Sequence, residues 1–305
     1  MAPQPRPGAL LGHLSFRSYG SPVATQITDD TELAIAQADG LLGASQAGAL
    51  DLDALAASYR AWLASPPFDV GNATHAAFGG GACTAAATLR RAARSNADSK
   101  ANGAVMRATP LCVWAHRLSA VDAGAAGAAD SRLSHPNPSA AGANAAYVAA
   151  VAHLVGHPGD APGALAAADA ALAAGGAAYA EPAAWLADAR AGVVEPAWPQ
   201  AGFVKIAFTP AFRHLAARTP FRAALAQTLL AGGDTDTNAA IVGGMLGALH
   251  GVRGIDEQLL RPVLALDPEA AARPRPAHLA AARLPQLAAA LLAAAPEKLV
   301  VLQEA

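Results

Sequence analysis

Two clusters of oxygen-bearing side chains stand out in a chain otherwise poor in charge. The first is Thr28-Asp29-Asp30-Thr31-Glu32, just ahead of an Ala/Leu-rich helical pattern over residues 33–42. The second is Gly232-Gly233-Asp234-Thr235-Asp236-Thr237-Asn238, just ahead of a similar pattern over 239–250. Each sets two aspartates and neighbouring threonine hydroxyls at a helix start. Asp and Thr are preferred N-caps, and Asp29 to Glu32 has capping-box spacing, so capping is the plain reading of either cluster alone. One cap needs only one side chain, however, and each cluster has oxygens to spare. Adjacent carboxylates repel unless positive charge lies between them. A hard divalent cation with oxygen ligands meets that need, and Mg2+ is held by a few carboxylates plus water. Two such clusters brought together would surround a pair of ions.

A calcium-loop reading of the second cluster fails. Counting from Asp234, the sixth loop position is Ala239 in place of glycine, and the twelfth is Met245 in place of glutamate.

The elements that must position these clusters are helices. Alanine is the best helix former, and helical spacing covers residues 31–43, 52–64, 74–94, 104–118, 140–155, 163–174, 181–191, 201–217, 221–231, 237–250, 257–265 and 276–294. Asp51 suits an N-cap, Pro220 a helix start and Gly251 a helix end. No stretch alternates convincingly with the period of a strand. The fold class expected is all-α, one domain spanning 1–305. Residues 122–139 and 156–162 read as loops, and 267–276, rich in Pro and Arg, as a linker to a last helix.

Composition narrows the function. The 305 residues are 53% hydrophobic and 14% charged, with net charge −2. That is neither a disordered composition nor the basic footprint of a nucleic-acid binder. The Ala-rich stretches are too weakly apolar and too broken to span a bilayer. Two cysteines, Cys83 and Cys112, suggest a reducing compartment. The N-terminal stretch lacks the apolar core of a secretory leader. The expectation is a cytoplasmic monomer with no nucleic-acid or membrane partner. His75, His116, His153, His157, His214 and His250 read as surface or capping residues, the four tryptophans as packing.

At this point the motifs resemble a known family. Thr28-Asp29-Asp30-Thr31, and the segment GGDTDTNAAIVGGMLGALHG from Gly232 to Gly251, are similar to the two signature segments of the ADP-ribosylglycohydrolases. Phe68-Asp69-Val70-Gly71-Asn72 resembles the stretch found in arginine-directed bacterial members. Asn102-Gly103-Ala104-Val105-Met106-Arg107 with Pro110-Leu111, and Ser134-His135-Pro136-Asn137-Pro138, resemble two further family loops, in the same order.

The resemblance implies a helical bundle with a binuclear Mg2+ (sometimes Mn2+) cleft. It implies Thr28, Asp29, Asp30, Asp234, Asp236 and Thr237 as metal ligands. ADP-ribose contacts would come from Ser99, Asn102, Gly103 and His135, with Gly232 and Gly233 allowing close backbone approach. Asp29 or Asp236 would act as base towards water. The implied substrate is an ADP-ribosylated protein, with arginine as the modified residue. One departure bears on activity. The family's early acidic residue has no counterpart here, since no Asp or Glu precedes Asp29. A catalytically weak or inactive member that binds ADP-ribose, or neutralises an ADP-ribosyltransferase toxin, is the competing expectation.

Overall fold

The computed structural model describes residues 26–81 and 84–303. The expectations for the N-terminal element and for Cys83 lie outside the described residues. The helices are α1 (Asp29–Leu42), α2 (Leu52–Leu63), α3 (Asn72–Phe78), α4 (Ala85–Ser95), α5 (Thr109–Trp114), α6 (Ala120–Arg132) and α7 (Pro138–Gly156). They continue with α8 (Ala161–Ala174), α9 (Ala180–Arg190), α10 (Val204–Ala216), α11 (Phe221–Ala231), α12 (Thr235–His250), α13 (Glu257–Ala265) and α14 (Leu284–Ala293). The fold is all-α. Strand structure among the described residues is one parallel pair, β1 (Leu50–Asp51) and β2 (Val301–Leu302), and an isolated bridge between Ala101 and Phe203. Among the described residues no helix is long and apolar enough to cross a membrane.

Helix α7 is the centre. It is buried on nearly every side, as expected of a helix apolar all round. It starts at Asn137, whose side chain accepts from the Ser139 amide, with Pro138 in the first turn. Helices α6, α8 and α12 pack on it. The contact is close because small residues face it. A Cβ added to Gly127 of α6 would lie 2.9 Å from Val148 Cγ2 and 3.0 Å from the Asn144 carbonyl oxygen. One added to Gly244 of α12 would lie 2.5 Å from the Tyr147 hydroxyl.

Several expected boundaries move. Residues 122–139 were expected as a loop, but 120–132 are helical, because Gly124 and Gly127 serve close packing instead of breaking the helix. The expected helix 74–94 is two, parted at Gly79-Gly80-Gly81. Within 104–118 only Thr109–Trp114 is helical, and the preceding residues form turns. The stretch 276–294 opens with two short 3-10 turns before α14. The expected caps at Asp51, Pro220 and Gly251 stand where the composition placed them.

Gly127→Val would overpack the α6–α7 contact. We expect a loss of about 1–3 kcal/mol, read as a lower urea midpoint with the slope unchanged.

Candidate active site

The two acidic clusters meet at one cleft, and neither is used for capping. Thr28 is the N-cap residue of α1, yet its side chain makes no cap bond. Its hydroxyl instead donates to Asp30 Oδ2 at 2.7 Å. Asp234 is the N-cap residue of α12 and likewise makes no side-chain cap bond. Its Oδ2 accepts from the Asn102 amide at 2.8 Å. The capping box expected of Asp29 and Glu32 is also absent. Glu32 is buried in a bidentate pair with Arg275, 2.8 Å at both oxygens, and accepts from Trp62 Nε1.

The cleft has a volume of about 560 Å3. Of the residues expected from sequence, Asp29, Ser99, Asn102, Gly103, His135, Asp234, Asp236 and Thr237 line it. Thr28 and Asp30 lie outside the lining, buried at the start of α1 beside Asp29. Gly232 and Gly233 also lie outside it. Their positive φ values, 79° and 76°, account for glycine there, and at Gly233 so does Ala197, whose Cβ would sit 2.7 Å from an added Cβ. Gly103 is closely approached by His135. An added Cβ would stand 3.0 Å from His135 Cε1 and 3.1 Å from Nε2.

Like charge in a buried setting dominates the electrostatics. Burial, reinforced by Asp30, Asp69, Asp236 and Asp234, pushes the Asp29 carboxyl up to about 8. Burial pushes Asp30 up to about 6, against the stabilising Thr28 hydroxyl. Asp69 and Asp234 are raised too, again chiefly by burial. Asp30 Oδ1 is buried without a hydrogen-bond partner. Among the described residues, no lysine or arginine lines the cleft. Nor, among them, do three Asp, Glu, His or Cys side chains group into a ready ion cage. Asp29, Asp69, Asp234 and Asp236 share the lining instead. The Asp30 and Asp234 Oδ2 atoms are already engaged by Thr28 and Asn102.

Behind the cleft lies a buried cation. Arg107 spends its five N–H groups on Asp130 Oδ2 (from Nε and Nη2), the Asp130 carbonyl, the Gly103 carbonyl and Ser134 Oγ. The Tyr59 ring lies 4.4 Å beneath it, and the Tyr59 hydroxyl donates to Asp130 Oδ1 at 2.6 Å. Ser134 Oγ sits 2.9 Å from His135 Nδ1. Arg107 donates to that same oxygen and leaves the hydroxyl proton available to Nδ1; with that bond made, the imidazole proton sits on Nε2, on the Gly103 side. Burial, then Arg107, lowers the His135 pKa to about 3, so the ring is neutral at pH 7.

Sequence reasoning passed over Asp69 as a site residue, though it lines the cleft beside Asn72 and Thr74. Its only signal was the Phe68–Asn72 motif, because a lone carboxylate has no telling spacing. Two bland expectations also change. Trp198 is 69% exposed instead of packed, and His214 is buried instead of superficial.

The sequence profile of the ADP-ribosylglycohydrolase family matches residues 3–298. The chain belongs to that family, a family of hydrolases. No curated protein matches the chain in sequence. Among solved structures, one titled an ADP-ribosylglycohydrolase-related protein complex is similar at a TM-score of 0.63 and 20% identity. The match covers 89% of this chain and 82% of that one. At that identity the likeness shows a shared fold.

The raised carboxyl pKa values set a pH dependence. Between about pH 4 and 8 the folded chain binds more protons at Asp29 and Asp30 than the unfolded chain, whose carboxylates titrate near 4. The contribution of Asp29 and Asp30 to stability in EDTA therefore falls as pH rises through this range, opposed up to about pH 6.5 by the buried neutral His135 and His214. Above that pH the histidines no longer titrate, and a melting temperature in EDTA that held or rose from pH 7 to pH 8 would refute the buried like-charge cluster.

Proposed function

We propose that this ADP-ribosylglycohydrolase family member cleaves the N-glycosidic bond between ADP-ribose and a protein arginine, with two Mg2+ (or Mn2+) in its cleft. One observation carries the reading: four carboxylates, Asp29, Asp69, Asp234 and Asp236, line one cleft whose described lining holds no lysine or arginine. An anionic diphosphate enters such a cleft only with positive charge beside it. A guanidinium acceptor suits the same field.

The donor set fits Mg2+. It is all oxygen, and Asp30 Oδ1 is a buried acceptor in want of a partner. Thr28, Asp29, Asp30, Asp234, Asp236 and Thr237 would hold the ions. When bound, the ions supply Lewis-acid contacts to sugar hydroxyls and a more acidic water.

The chain's own residues do the rest. Asp29 or Asp236 takes a proton from the attacking water. The water oxygen bonds to the ribose carbon as the carbon–nitrogen bond breaks, its electron pair going to the arginine nitrogen, and the proton taken up by the aspartate passes to the departing guanidine. The transition state has oxocarbenium character, as in other glycoside cleavages. Negative charge along the lining favours that developing cation. Neutral His135 offers Nε2–H to a ligand oxygen. Asn102 and Ser99 hold the ligand from the other lining segment.

The test is release of ADP-ribose from an arginine-ADP-ribosylated protein, with Mg2+ and with EDTA, beside a serine-linked substrate. Wild type should release it only with Mg2+. Asp236→Ala should lower kcat by about 100-fold or more, the usual scale for losing a general base. Release from serine alone would overturn the arginine assignment. No release from either substrate, with Mg2+-dependent ADP-ribose binding intact, would establish the binding-protein reading instead.

A further inference from the structure

The segment expected to be a linker, 267–276, is a strap tied to the start of α1 and to the loop that follows α2. Arg275 is 4% exposed and Glu32 1%. The Arg275 guanidinium uses all five N–H groups. Nε and one Nη2 proton go to the two oxygens of Glu32, each at 2.8 Å. The other Nη2 proton goes to Ser65 Oγ at 2.9 Å, and Nη1 reaches the Ser65 and Pro66 carbonyls. Glu32 stands one turn from Asp29 on α1. Ser65 and Pro66 begin the loop that leads to Asp69. One planar fork thus joins the helix that carries Asp29 to the loop that carries Asp69, both of which line the cleft.

The strap holds a third element. Gln26 Nε2 donates to the Arg273 carbonyl at 2.5 Å, and the Arg273 amide donates to Gln26 Oε1 at 3.1 Å. That two-bond clasp fixes the approach to Thr28. Arg275 is itself tied back by its amide to the Pro268 carbonyl at 2.9 Å.

We propose that Arg275 is a positioning residue: it sets the spacing between Asp69 and Asp29, and with it the width of the cleft. The role in turnover rests on the hydrolase reading above; the role in fixing the Asp69 loop does not. A guanidinium is needed, because only a planar fork reaches a carboxylate and two carbonyls at once. A second pair provides the control. Arg283 binds Asp39 at 2.7 and 2.9 Å, joining the same C-terminal region to the far end of α1, away from the cleft.

The experiment compares wild type, Arg275→Lys, Arg275→Met, the double variant Glu32→Gln/Arg275→Met, and Arg283→Met. The double variant removes the unpaired buried carboxylate that could unfold Arg275→Met. Amide exchange over residues 67–71 is read without ligand, and kcat and KM with the Mg2+-loaded protein. In Arg275→Met or the double variant, loop exchange should quicken at least tenfold, and kcat should fall at least tenfold with KM within threefold. Arg275→Lys should recover part of kcat. Arg283→Met should leave both readouts unchanged. Loop exchange at the wild-type rate, full kcat despite a quickened loop, or an equal effect of Arg283→Met would overturn the proposal. If wild type itself releases no ADP-ribose, the hydrolase reading fails, and loop exchange alone decides the role of Arg275.

Discussion

Holding Asp29, Asp30, Asp69 and Asp234 near one another against mutual repulsion is the constraint on which the site depends. Carboxylates lose solvation on burial and gain nothing from each other. Two of the four stand in the first turn of α1, and Asp234 stands at the start of α12. A helix start is the one part of a helix whose field favours negative charge, by about 0.3–1 kcal/mol per charge at a surface. That is too little to offset several buried like charges. The rest of the structure must therefore hold the geometry by force of packing. Helix α7 supplies the packing, with α12 drawn close to it at Gly244.

Two buried guanidiniums do the local work, and each saturates its five donors. Arg107 binds Asp130 together with the carbonyl of Gly103 and the hydroxyl of Ser134, so one planar group orients two loops of the cleft. Asn96 adds a tie, donating to the carbonyls of Ala73 and Ser134. Arg275 does the same for the acidic lining. Neither cation points into the cleft. Their charge answers Asp130 and Glu32, so the site carboxylates stay without a basic partner in the lining. A buried ion pair is weak evidence for net stability, because desolvation opposes the attraction. The value of these two pairs lies in geometry: a fork with five satisfied donors permits few alternative arrangements.

The parts of this arrangement readable from sequence are those with local causes. The all-α class followed from alanine content and helical spacing. The two clusters were legible because Asp-Asp and Asp-x-Asp at helix starts are wasteful as caps, and the structure gives their side chains other partners. Asp69 was not legible as a site residue, since a single carboxylate between Phe68 and Val70 has no pattern of its own. Arg275 was invisible for a different reason. Its partner Glu32 lies 243 positions away, and a Pro/Arg-rich composition reads as linker whether or not it is buried. The helix at 120–132 was misjudged because glycine is a breaker only where no close neighbour demands it. Gly124 and Gly127 have such neighbours, and burial of α6 against α7 overrides the propensity.

The arrangement also bears on whether the scaffold is merely structural. A helix start that serves only the fold would spend its side chains on the exposed amides of its own first turn, a contribution of about 1 kcal/mol each. Thr28 and Asp234 do otherwise. They turn away from those amides, and Asp30 keeps a buried oxygen unsatisfied. Both helix starts thus give up a cap bond for another partner, and they do so beside the same cleft. Local rules broken together are the pattern that a functional or strained site leaves. The same logic separates the glycines. Gly232 and Gly233 answer to their own backbone angles, whereas Gly103 answers to a neutral imidazole pressed against it. Gly103 therefore belongs to the packing of the cleft lining, and Gly232 and Gly233 to the turn that delivers Asp234.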